Sequence, residues 1–227
     1  MSSPLHENIR VWDLPTRVFH WTLAATIVGS VVTAKVGGNA MLWHFRLGYL
    51  VLGLLVFRLV WGVVGGRWSR FSSFVFSPGT VLRYLRGQVR PEDNLEVGHN
   101  PLGSLSVFAL LGMLGLQIAT GLVADDEIAN IGPLNRFVST DAGLQATGWH
   151  KELGQWIVIA LVALHIAAIL YYLLKKKHNL VRPMIVGDKP LPRGTPASAD
   201  GPLQRALALV LAVLCGLGAA WVASLGA

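Results

Sequence analysis

Seven histidines and a single cysteine, Cys215, limit the metal chemistry open to this 227-residue chain. One thiol builds neither an iron–sulfur cluster nor a thiolate zinc site, and the C-x-x-C-H signature of covalently attached haem is absent. A bound metal must therefore be held mainly by nitrogen or oxygen. Four histidines, His20, His44, His150 and His165, sit in or at the ends of apolar stretches. Neutral imidazole suits iron in a low-dielectric site because it adds no charge. Two imidazoles on opposite faces of one haem fill both axial positions, leave no open position for oxygen, and so point to electron transfer.

These side chains need elements to carry them. Apolar residues make up 53% of the chain and charged residues 14%, against roughly 25% charged in a soluble domain. Mean hydropathy is +0.53 and the apolar residues come in blocks. This composition excludes a disordered chain and argues against a soluble enzyme. A membrane-spanning helix needs about 20 mostly apolar residues. Five candidates meet that need: Val18 to Ala34 (starting as early as Leu14), Met41 to Val64, Pro101 to Ala124, Thr147 to Leu174, and Ala206 to Leu225. A cleaved signal peptide fits the first poorly, since it lacks a small-x-small site near its end.

Lys and Arg fix the predicted orientation. The segment to Arg17 carries two, the 65–100 loop five and the 175–205 segment seven, and these three segments share one side of the membrane. The other side has Lys35, Arg136 and Lys151, with Asp125, Asp126, Glu127 and Asp141. By the positive-inside rule the N-terminus is cytoplasmic, and after five crossings the C-terminus lies outside. The net charge of +7 is then a topology signal and an attraction to anionic membrane lipid, with no nucleic-acid partner implied. Gly187 to Gly201 is rich in Pro, Gly and small residues and reads as a flexible linker. The predicted organisation is a four-helix membrane domain over 1–187, a cytoplasmic linker over 188–205 and an appended fifth span over 206–227.

Placed on these spans, His20 and His165 lie toward the cytoplasmic face, and His44 and His150 toward the outer face. His150 and His165 are fifteen residues apart, roughly 22 Å of helical rise. Each pair can clamp one macrocycle, giving two haems in series across the bilayer. Zinc fits less well, because it wants four ligands converging on one point. Gly48 and Gly154 each follow a histidine, His44 or His150, by four residues and share its helix face. A missing side chain there admits a flat ring, although glycine also serves helix packing. Arg46 and Arg58, inside the second span, are bidentate partners for haem propionates or else snorkel to the headgroups.

Five motifs now stand in order at their helix positions: V-W-D-L-P-T-R-V-F-H-W at 11–21, W-H-F-R-L-G-Y at 43–49, L-L-V-F-R-L-V-W-G at 54–62, G-H-N-P-L-G at 98–103 and L-H-I-A-A-I at 164–169. Over about residues 10–187 the chain resembles the bacterial cytochrome b561 family, which includes the cytochrome b subunits of nickel–iron hydrogenases and is similar in build to formate dehydrogenase gamma subunits. The resemblance implies an all-α integral membrane protein: a four-helix bundle holding two b haems, with the fifth helix appended. It implies ligation by His20 with His165 and by His44 with His150. In that family the two ligands of the fourth helix usually stand fourteen residues apart; here they stand fifteen apart, which turns one of them by a step of about 100°.

The resemblance also implies a quinone near the cytoplasmic haem. His99 could exchange protons with it and Asn100 could donate to a quinone carbonyl; alternatively, Asn100 caps the third span, with Pro101 in its first turn. The expected function is a relay of electrons between a membrane quinone pool and a redox partner protein on the outer face of the bacterial inner membrane. The rival readings are a self-contained oxidoreductase acting on a small diffusible species at the outer haem, and a metal transporter using the same histidines.

Overall fold

The computed structural model describes residues 6–88, 95 and 97–226. Arg90 of the basic loop and Ala227 at the end of the fifth predicted segment lie outside the described residues. Among these residues five helices are long and apolar enough to cross a membrane. Chain order runs β1 (His6–Arg10), α1 (Leu14–Val36), α2 (Met41–Val64), the short α3 (Pro78–Leu85), α4 (Pro101–Val123), α5 (Thr140–Gly148), α6 (Gln155–Leu174), α7 (Val181–Val186), β2 (Asp188–Pro192) and α8 (Pro202–Ser224). A π-helical turn, Trp149–Gly154, joins α5 to α6, so the fourth span is a 35-residue helical run, Thr140–Leu174. It starts a turn or two earlier than the apolar pattern predicts, because Ser139 caps it through the Ala142 N–H. Exposed Val, Leu and Trp side chains such as Val28, Leu59, Leu164 and Trp221 are what lipid, rather than water, accommodates.

The long helices contribute to two compact units. The first comprises Met1–Phe19, Arg58–Phe108 and His165–Leu209. Here β1 and β2 pair antiparallel, His6 opposite Pro192 and Arg10 opposite Asp188. Their inner residues Ile9, Val11 and Leu191 pack with Trp12, Trp68 and Val97. The stretch read from composition as a flexible linker is therefore folded. β2 lies within it; Ser198 is buried, receives the Trp68 N–H at 3.2 Å and donates to the Val11 carbonyl at 2.7 Å. Trp68 Nε1 donates to the Pro196 carbonyl at 2.8 Å. Proline and glycine here make tight turns against a buried surface, and composition alone does not separate that use from a mobile tether. Burial pushes the Asp200 carboxyl up, but hydrogen bonds from Arg205 and the Leu14 N–H, with Arg10 nearby, hold it net below the ordinary carboxylate range.

Asp13 organises the start of α1. It is fully buried and caps the helix through the Thr16 N–H at 2.8 Å. It also accepts from Trp61 Nε1 at 3.1 Å, the Gly66 N–H at 3.2 Å and Ser69 Oγ at 2.6 Å. A buried carboxylate is tolerated when its lone pairs are filled in this way.

The second unit comprises His20–Phe57, Ala109–Leu164 and Val210–Ala227. Within it α8 packs closely on α2 at Gly53, where a Cβ would stand 3.4 Å from the Cys215 carbonyl oxygen and 3.6 Å from the Ala219 Cβ.

Candidate functional site

The second unit encloses a cavity of about 520 Å³ whose walls include Ser30, His44, Gly48, Gln117, Gly121 and His150, a volume suited to a cofactor. α2 carries His44 in its first turn, and the π turn carries His150. Their ring centres are 6.0 Å apart and their planes stand at 85°.

Both rings are held by their Nδ1 atoms. That of His44 lies 2.9 Å from the Ser30 carbonyl oxygen and 3.2 Å from its hydroxyl. That of His150 lies 2.8 Å from the Gln117 carbonyl oxygen and 3.4 Å from the Thr120 hydroxyl. A carbonyl oxygen only accepts, so each Nδ1 carries the proton and donates. Nε2 is then the nitrogen with the lone pair, the arrangement typical of histidines that bind metal. Two metal–imidazole bonds of roughly 2 Å and ring offsets of roughly 1 Å at each end place axial ring centres about 6 Å apart. The separation of His44 and His150 fits an iron held between them.

The other predicted residues fall in different settings. Gly48 lines the cavity, and a Cβ on it would meet nothing within 4 Å. Beside Gly154 the space is occupied by protein: a Cβ there would run into Gln117 Oε1 and stand 2.9 Å from Trp149 Nε1. Arg46 is exposed, lies 5.0 Å over the Trp43 ring and does not line the cavity. Lys35 and Lys151 do line it, and Lys35 Nζ lies 5.4 Å from the Trp156 ring centre. His20 is part-buried in α1 with its ring edge-on to Trp21 at 5.1 Å, and His165 is part-buried in α6.

In the first unit Arg58 is 4% exposed, its guanidinium 4.6 Å over Phe71, and its NH1 has no hydrogen-bond partner among the described residues. His99 packs between Trp12 at 4.7 Å and Phe74 at 4.5 Å. Asn100 caps α4 by accepting the Gly103 N–H at 2.8 Å. It also donates to the Tyr172 hydroxyl at 2.8 Å, which is 2.7 Å from that of Tyr84. Burial and the bond to Tyr172 push the Tyr84 phenol well above its ordinary value, so it stays a neutral hydroxyl.

Sequence reasoning missed Gln117, Gly121 and Ser30. Gln117 had a readable signal, as an amide side chain inside an apolar span. Among the described residues no three His, Cys, Asp or Glu converge as a metal cage would require.

An all-helical membrane protein that presents inward-facing imidazoles to a cofactor-sized cavity falls in the class of membrane cytochromes. The chain belongs to the prokaryotic cytochrome b561 family, whose model matches residues 11–187. It is similar to the probable Ni/Fe-hydrogenase B-type cytochrome subunit of Bradyrhizobium diazoefficiens, 23% identical over 80% of this chain and 86% of that one. The probable Ni/Fe-hydrogenase 1 B-type cytochrome subunit of Escherichia coli K12 is 26% identical over 69% of this chain and 80% of its own length. A probable Ni/Fe-hydrogenase B-type cytochrome subunit of Cupriavidus necator is 25% identical over 78% and 85%. No solved structure matches. The protein is thus a multi-pass membrane protein of a b-type cytochrome family: haem b is its implied cofactor and electron transfer in the membrane its activity.

Proposed function

We propose that the chain relays electrons across the bacterial inner membrane, between the quinone pool and a redox protein docked on its outer face. The observation that carries this reading is the His44–His150 pair: ring centres 6.0 Å apart, with both Nδ1 atoms committed to carbonyl oxygens. Haem supplies reversible one-electron chemistry when bound there. The protein's part is to fix both imidazoles, to keep Gly48 clear of the ring, and to offer Lys35 and Lys151 to its carboxylates.

A second haem is assigned to His20 and His165. Arg58 is assigned to a haem propionate, since a buried guanidinium suits a carboxylate. The proposed outer partner is a nickel–iron hydrogenase, because the relatives are named as hydrogenase cytochrome subunits. The proposed quinone site lies by His99, at the start of α4. The N-terminus is placed in the cytoplasm and the C-terminus outside, with 1–187 as the dihaem domain and the last span appended.

The test is the haem count of the purified chain. Pyridine haemochrome assay should give two non-covalent haems per chain, falling to one in His44→Ala and in His150→Ala. Two haems retained in both variants would remove this site from the reading.

A further inference from the structure

We propose that Gln117 is the positioning residue for the His150 ligand, holding both its ring and the π turn that carries it. This rests on His150 being an axial ligand.

His150 and His165 stand fifteen residues apart, and the interval is not uniform α-helix. Trp149–Gly154 is a π turn, which takes up one residue more than an α turn. The fifteen-residue interval therefore carries the angular advance of fourteen α-helical residues. A π turn opens the helical ladder and needs support from outside the helix.

Gln117 supplies that support at two points. Its main-chain carbonyl oxygen accepts the His150 Nδ1 proton at 2.8 Å, and its side-chain Nε2 donates to the His150 main-chain carbonyl oxygen at 2.8 Å. The first bond fixes the rotation of the imidazole and the second fixes the backbone beneath it. The amide orientation follows, since turning it over would set two acceptor oxygens against each other. Its Oε1 is left buried with no hydrogen-bond partner among the described residues. Gly154 makes the approach possible, because any Cβ there would run into Oε1. Gln117 also lines the cavity yet needs no contact with the cofactor to act. Its influence passes through His150.

The test uses the full-length, haem-loaded chain in detergent, with Gln117→Leu and Gln117→Met compared with wild type. Readouts are the midpoint potential of each haem, the low-spin electron paramagnetic resonance spectrum, and the rate of haem transfer to apomyoglobin. In Gln117→Leu the main-chain bond to the ring remains but the side-chain bond that holds the backbone of His150 is lost, and one haem is expected to transfer about tenfold faster or more, the lower end of what losing support behind a metal ligand costs. Its potential rises as the Nδ1 bond loosens and the imidazole donates less strongly, and its resonance shifts, while the other haem is unchanged. Gln117→Met, which keeps the length of the side chain and loses the donor, shows the same defect. Deleting Glu152 removes the extra residue of the π turn, and in that background Gln117→Leu should add nothing. Wild-type potentials, spectrum and transfer rates in Gln117→Leu overturn the inference. So does an equal defect in Gln117→Leu with and without the deletion. If Gln117→Leu does not accumulate, Gln117→Met, alone and with the deletion, decides by the same criteria. If His150→Ala keeps both haems, the underlying site assignment has failed instead.

Discussion

Gly121 of α4 lies directly against the imidazole of His150: a Cβ on it would stand 2.8 Å from Cε1 and 3.1 Å from Nδ1. No side chain fits there unless the ring moves. Gly121→Ala should turn His150 away from the Gln117 carbonyl and weaken binding of one haem by about tenfold or more, leaving the other in place. Haemochrome assay after gel filtration reads this, and two firmly held haems in Gly121→Ala would show that the ring has room to shift.

Gly48 offers the opposite case. Its Cβ position is open and faces the cavity, so the protein without haem has no reason to resist substitution. Gly48→Ala should stabilise the apoprotein by about 0.5–1 kcal/mol, as alanine replaces glycine in a helix. Gly48→Leu should keep the apoprotein folded while lowering haem occupancy. Thermal melts of apo and holo protein compare the two effects, and full occupancy in Gly48→Leu would mean that the ring lies elsewhere.

Asp126 gives a pH dependence of known sign. Hydrogen bonds from the Asn130 side chain and from the N–H groups of Asn130, Ala129 and Ile128 hold its carboxyl well below the usual range. A depressed folded value means that the stabilisation is fully present above about pH 4, the unfolded aspartate value, and is lost as pH falls through the folded value. Amide exchange at 128–132, referenced to an unstructured peptide, should therefore speed up only in acid below about pH 4, and Asp126→Asn should show the faster exchange at neutral pH. Equal protection in wild type and Asp126→Asn at pH 7 would contradict this.

Asp13→Asn keeps the size of the side chain but sets an amide NH2 against two of the four donors that now converge there, since each oxygen accepts from two. A loss of about 1–3 kcal/mol is expected, read by thermal denaturation in detergent, with the His44–His150 pair still able to bind haem. An unchanged melting temperature would mean that those bonds contribute nothing net.

Sidedness can be read with reporters. A phosphatase domain inserted after Glu127 should be active, and one inserted after Gly194 inactive, if the basic segments are cytoplasmic. The reverse pattern would invert the proposed orientation.

What could be read without coordinates was what long apolar runs and rare residues encode. The spans were legible because a bilayer demands about 20 apolar residues in succession, and His44 and His150 because an imidazole in such a run needs a reason. Gln117 and the π turn were not legible, since one extra residue in a helix leaves no mark on hydropathy. Only the fifteen-residue interval hinted at it. The folding of 188–200 was hidden for another reason. Its proline and glycine content matches a tether, and the decisive contacts, Trp68 with Pro196 and Ser198 with Val11, join residues more than 100 apart in sequence. Arg46 has the right charge at the right depth, yet the aromatic ring of Trp43 three residues earlier takes its guanidinium.

The β1–β2 pair has a consequence for how the protein is made. His6–Arg10 leaves the ribosome roughly 180 residues before its partner Asp188–Pro192, on the order of 10 to 40 s earlier at ordinary rates of synthesis. Throughout that interval Ile9 and Val11 lack the Leu191 side chain that covers them. A chain that stalls or is cut short before Pro192 keeps this apolar edge open, within reach of chaperones and quality-control proteases. Closure of the β1–β2 pair thus marks a chain whose first four long helical spans have all been synthesised.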